Sequence, residues 1–113
     1  MAIVPMAFCF PGYDAAGSDL PPPRICAQTW RARAMAALEG IELTLLIGAY
    51  AQSWHLGGRK GVTERVAAWR DHAPEVFALP HPSWRNTAWL KKNPWFEAEV
   101  LPVLRSRVKE VLT

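Results

Sequence analysis

The stretch LTLLIGAYAQSWHL, residues 43–56, decides the fold class. Residues 43–47 form a short apolar run of strand length, Gly48 stands where a strand must turn tightly, and residues 49–56 read as a helix. Strand, glycine, helix is the signature of an α/β arrangement. Downstream, Gly57, Gly58 and Gly61 make a flexible basic loop containing Arg59 and Lys60. Thr63 is then placed to cap a helix that carries Val66, Ala67 and Trp69 inward until Pro74 ends it. Residues 76–79 are another apolar run and deliver the chain into Pro80-His81-Pro82-Ser83-Trp84-Arg85. Asn93 and Pro94 then look like the cap and first turn of a last helix through Phe96, Val100, Leu104 and Val108, bent or restarted at Pro102.

Upstream of the quoted stretch, residues 2–8 are almost continuously apolar and read as a strand buried on both faces, or as an edge strand because of Pro5. Residues 10–23 are rich in Pro, Gly, Asp and Ser and predict a long loop. Pro23 suits a first helical turn, and Cys26, Trp30, Ala34 and Leu38 recur every four residues before Gly40. Alternating strands and helices predict a three-layer α/β sandwich with a short parallel sheet, whose ligands bind at the carboxyl ends of its strands.

The 113 residues, half of them hydrophobic, fit a single domain spanning 1–113. No apolar run is long enough to span a membrane and no signal peptide is recognisable, which predicts a cytoplasmic protein without a membrane partner. Thirteen Lys and Arg against ten Asp and Glu give a net charge of +3, which permits a nucleic-acid partner without requiring one. The two cysteines, Cys9 and Cys26, exclude a disulfide-stapled scaffold. Six tryptophans cannot all lie in so small a core, so some are expected at a surface that meets a partner.

His81 is the first candidate for chemistry. It follows a strand and lies between two prolines that stiffen the backbone, and an imidazole so held can donate to a developing anion or exchange a proton near neutral pH. A loop histidine with a satisfied hydrogen bond is the plainer alternative. Ser83 offers a hydroxyl and an amide to a phosphate, Arg85 a cation and Trp84 a flat wedge. Those are the parts needed to unstack a base from duplex DNA, although packed loops also contain them.

LPHPSWRN, residues 79–86, resembles the second signature motif of the uracil-DNA glycosylase superfamily, in the His-Pro-Ser-x-Arg-Asn form of its single-strand-selective members. IGAYAQSWHLG is similar to the strand-glycine-helix segment of the bacterial iron-sulfur members. FCFPG followed by Cys26 resembles their second pair of cluster cysteines, and HPSWRNTAWLKKNPWFEAE is similar to bacterial proteins of that superfamily.

The resemblance implies a DNA base-excision enzyme, hydrolysing the N-glycosidic bond of uracil or a related damaged pyrimidine. It implies that His81 stabilises negative charge on the base O2, that Pro82 and Ser83 pinch the DNA backbone, and that Arg85 with Trp84 fills the space the base leaves. Phe10 would stack near the base, or simply be buried, and Gly48 would line the base pocket. Lys91 and Lys92 would meet phosphates, or form a solvated pair. Cys9 and Cys26 would be half of a four-cysteine [4Fe-4S] site, or two reduced thiols. The partner would be DNA bearing a damaged base, and the protein a monomer.

Two departures accompany the resemblance. The family's Gly-x-x-Pro-Gly type motif, which positions the attacking water, has no match in residues 1–113, and Pro5 stands where relatives place an Asn that reads the uracil edge. Residues 1–113 are accordingly expected to match the C-terminal two thirds of a longer protein and, alone, to be poorly stable, inactive and without a cofactor. An inactive DNA-binding remnant and a protein-interaction module are the alternatives to an enzyme.

Overall fold

The computed structural model of the chain describes residues 2–7, 12–83 and 86–112. They fall into two compact units, Met1–Ile41 and Glu42–Thr113. No helix among the described residues is long and apolar enough to cross a membrane.

In the first unit the strand expected over residues 2–8 is not observed: residues 2–7 carry no strand pairing, and Phe8 lies outside the described residues. Pro5 has no N–H to give to a ladder, and Ile3 is 84% exposed, so the bonding and burial of a two-faced strand are both missing. The carbonyls of Val4 and Pro5 instead accept from Arg31 Nη1 at 2.8 and 3.1 Å. Part of the expected long loop closes into a small hairpin. Tyr13 and Asp19 form an antiparallel bridge, and Asp14 Oδ1 accepts from the N–H groups of Ala16 and Ser18.

The helix after Pro23 is built from α1 (Arg24–Cys26), a π turn (Ala27–Arg31) and α2 (Ala32–Ala36). Its buried residues are Cys26, Ala27 and Arg31, whereas Trp30 is 50% exposed with the Arg33 guanidinium 5.6 Å from its ring centre. A π turn adds one residue to the repeat, so the four-residue spacing counted through it falls on the wrong face. Burial pushes the Arg31 guanidinium below its ordinary pKa, because the charge has lost water.

The second unit has the expected parallel pairing. β1 (Thr44–Ile47) and β2 (Val76–Leu79) run side by side, Thr44 opposite Val76 and Ile47 opposite Leu79. The crossover passes through α3 (Ala49–Leu56), α4 (Val62–Ala67) and a 3-10 turn (Trp69–Asp71). β2 is covered on both faces, Phe77 and Ala78 both being buried, which is why its sequence runs apolar without alternation. The core joins Val66, Trp69, Phe77, Phe96, Val100 and Leu104, with Trp69 stacked on Phe77 at 6.1 Å and 17°. Trp89 and Trp95 meet Phe96 edge-on against this core, whereas Trp54 is 43% exposed.

Several local expectations are corrected here. Gly61, not Thr63, is the cap position of α4, and that helix ends at Ala67, well before Pro74. The Thr63 hydroxyl accepts from Trp89 Nε1 at 2.9 Å. Ala67 is exposed, and Arg65 occupies the buried place instead. Asn93 closes the preceding helix, α5 (Asn86–Lys92), since its Nδ2 and backbone N–H both reach Trp89 O at 2.9 Å, and it also opens the next as expected, Asn93 O accepting from Phe96 N–H at 3.1 Å and Pro94 O from Ala98 N–H at 3.3 Å. Beyond it a π turn (Phe96–Val100) leads into α6 (Leu101–Leu112), with Phe96, Val100 and Leu104 buried as expected. Pro102 cannot donate to the carbonyl four residues back and crowds it, and the π turn just upstream is where the ladder adjusts.

Two side chains fasten opposite ends of the strand pair. At the amino ends, Arg107 on α6 donates to Glu42 O at 3.1 Å and Pro74 O at 3.2 Å. At the carboxyl ends, Gln52 on α3 is wholly buried and its Nε2 donates to Leu46 O at 3.0 Å and Leu79 O at 2.8 Å. Those bonds hold together the two strand ends from which Gly48 and His81 emerge.

Candidate functional site

Gly48 ends β1 with φ +86°, a conformation that L side chains rarely adopt, and its N–H donates to Leu79 O at 3.0 Å. The chain can therefore turn from β1 into α3 without leaving the end of β2. A Cβ on Gly48 would lie 3.8 Å from both Cβ and Cδ2 of His81, so His81 faces Gly48 across a gap that a methyl would just fill. His81 itself is exposed, two residues past the end of β2.

Behind His81 the loop is tied to the start of α5. Asn86 Nδ2 donates to His81 O, and Asn86 N–H donates to Ser83 O at 3.0 Å. One residue thus fixes the backbone on both sides of Pro82, adding to the stiffness the prolines supply. Pro82 and Ser83 are exposed on this loop.

His81 and Gly48 line one cleft of about 360 Å³, together with Ala49, Pro80 and Asn86, the segment 61–64, and Trp89. Trp89 is held there by its bond to Thr63, so the two walls contributed by α4 and α5 are joined across the cleft. Glu64 is the carboxylate of this lining. Chemically, the cleft combines an imidazole at its mouth, an amide side chain, a carboxylate and an aromatic wall. Such a set can take a flat polar ring and hydrogen-bond its edge.

Of the residues singled out in the sequence, His81 and Gly48 are brought together. Lys91 and Lys92 are exposed in the last turn of α5 and do not line the cleft. Phe10, Trp84, Arg85 and Cys9 lie outside the described residues. Cys26 is a buried free thiol in α1 of the first unit. A four-cysteine cluster needs four thiolates, and among the described residues no group of three or more His, Cys, Asp or Glu is placed to hold a metal.

Sequence reading missed Gln52, Asn86, Thr63 with Trp89, and Arg65. Asn86 ends the LPHPSWRN motif, and a short amide side chain at the start of a helix is the signal for such a bond to the preceding loop. Arg65 is buried and donates only to carbonyls: Gly57 at 2.7 Å, Lys60 at 2.9 Å, Gln52 at 3.3 Å and Gly58 at 3.4 Å. Compared with known families, the chain matches the family model described as uracil DNA glycosylase superfamily over residues 2–105.

Proposed function

The chain belongs to the uracil DNA glycosylase superfamily, and from that premise we propose that its site serves base excision in DNA, hydrolysing the bond between deoxyribose and uracil or a related damaged pyrimidine. The bond from C1′ to the base nitrogen breaks with its electron pair going to the base. Water then supplies hydroxide to C1′ and a proton to the departing anion. The observation that carries this reading is the position of His81 on the cleft lining, facing Gly48 and with its carbonyl held by Asn86. An imidazole donor fixed in that way meets the developing charge without reorganising.

In this reading Pro82 and Ser83 press on the DNA backbone, and Arg85 with Trp84 fills the gap left by the extruded base. Gly48 borders the base, and Lys91 and Lys92 contact phosphates at the rim. The protein acts as a monomer. A second reading, a remnant that binds DNA without excising a base, draws support from Pro5, which offers neither a side-chain donor nor an N–H to a base edge.

Release of free uracil from oligonucleotides, by the parent protein and by His81→Ala, separates the two. Loss of one preorganised donor costs on the order of 10²-fold in rate. A fall of about that size with DNA affinity retained supports excision. Binding without release by the parent supports the remnant, and equal release by both proteins removes His81 from the chemistry.

A further inference from the structure

We propose that the loop at residues 57–61 is a binding site for the phosphodiester backbone of a nucleic acid strand running beside the His81 cleft. The inference rests on the nucleic-acid reading above and adds a contact outside the LPHPSWRN motif and the Lys91–Lys92 pair. The loop reads Gly57-Gly58-Arg59-Lys60-Gly61, and its last residue is part of the cleft lining. Both Arg59 and Lys60 are exposed.

Three glycines in five residues suggest a slack loop, but the geometry is otherwise. Gly57 and Gly58 have φ of +68° and +75°, and the carbonyls of Gly57, Gly58 and Lys60 all accept from the buried Arg65 guanidinium. The loop is wrapped around a cation and has a defined shape before any ligand arrives. Two cations presented from a fixed loop lose less freedom on binding than the same pair on a mobile one.

The charge balance points the same way. Arg65 donates to neutral carbonyls, and among the described residues neither it nor Arg59 nor Lys60 has a carboxylate within ion-pair distance. Three positive charges within seven residues therefore stand without a bonded acid, and the exposed Glu64 of the cleft lining forms no ion pair with them. A neutral or basic partner gains little from such a surface. A chain of phosphates gains a counter-charge at the exposed Arg59 and Lys60 and releases its own condensed counterions.

The test is equilibrium binding of the protein to a labelled duplex without uracil, measured across a range of salt concentrations, for the parent, the Arg59→Ala/Lys60→Ala double variant and the charge-conserving Arg59→Lys/Lys60→Arg variant. Both substituted side chains are exposed, and circular dichroism confirms that each variant keeps its fold. The slope of log affinity against log salt should become shallower by about 1.8 in the alanine variant, the value for two lost phosphate contacts on duplex DNA. It should be retained in the charge-conserving one. An unchanged slope in the alanine variant overturns the loop assignment and leaves the base-excision reading standing. Absence of salt-dependent DNA binding by the parent overturns both.

Discussion

Replacing Gln52 by leucine removes the clamp across the carboxyl ends of β1 and β2 while nearly conserving volume. Two hydrogen bonds are lost, to Leu46 O and Leu79 O, each contributing about 1 kcal/mol net. Both carbonyls keep a partner in the strand pair, Leu79 O the N–H of Gly48 at 3.0 Å and Leu46 O the ladder N–H of Leu79 that the parallel pairing of Ile47 with Leu79 requires. Against this, Gln52 Oε1 is buried with no partner among the described residues, so its removal returns part of the cost of having buried it. The balance is a destabilisation of about 1–2 kcal/mol for Gln52→Leu. For Gln52→Ala it is about 3–4 kcal/mol, because a cavity is added. Urea unfolding followed by circular dichroism measures both as shifts in midpoint at constant slope. Gln52→Glu should be worse than Gln52→Leu near neutral pH, where a carboxylate would face two carbonyls, and should recover as acid protonates it. A Gln52→Leu protein as stable as the parent would refute the clamp.

Gly48→Ala should destabilise by about 1–2 kcal/mol through its left-handed backbone alone, since the added methyl meets His81 at an ordinary 3.8 Å; thermal unfolding checks it. Trp89→Phe and Thr63→Val each remove the same hydrogen bond between α5 and α4, so a double-mutant cycle should return a coupling of about 0.5–1.5 kcal/mol. Strict additivity would mean that the bond contributes nothing.

The strands and the first crossover helix were legible in the sequence because their signals are local. The apolar run before Gly48 and the run at residues 76–79 end at residues that dictate their own backbone, and the structure keeps both ends. The helix after Pro23 was legible as a helix but not in its orientation, since the π turn at Ala27–Arg31 shifts the repeat in a way no spacing reveals. No strand forms over residues 2–7, because an apolar run by itself fixes neither a pairing partner nor, as at Ile3, burial. Gln52, Arg65, Asn86 and Arg107 share one reason for being illegible or half legible. Each donates to backbone carbonyls, and every residue offers a carbonyl, so composition and spacing carry no trace of the match. His81 stood out because prolines on both sides mark a fixed position, and its neighbour across the strand ends, Gly48, was marked by the turn it must make.

The most direct test of the account is the dependence of the His81→Ala defect on the base that leaves. Single-turnover excision is measured for the parent and the variant on matched oligonucleotides carrying uracil or 5-fluorouracil, whose departing anion is intrinsically the more stable. If His81 stabilises charge on the leaving base, the variant should lose on the order of 10²-fold on uracil and distinctly less on 5-fluorouracil. The same loss on both bases would contradict the account, because a residue that only holds DNA or supports the loop slows both equally.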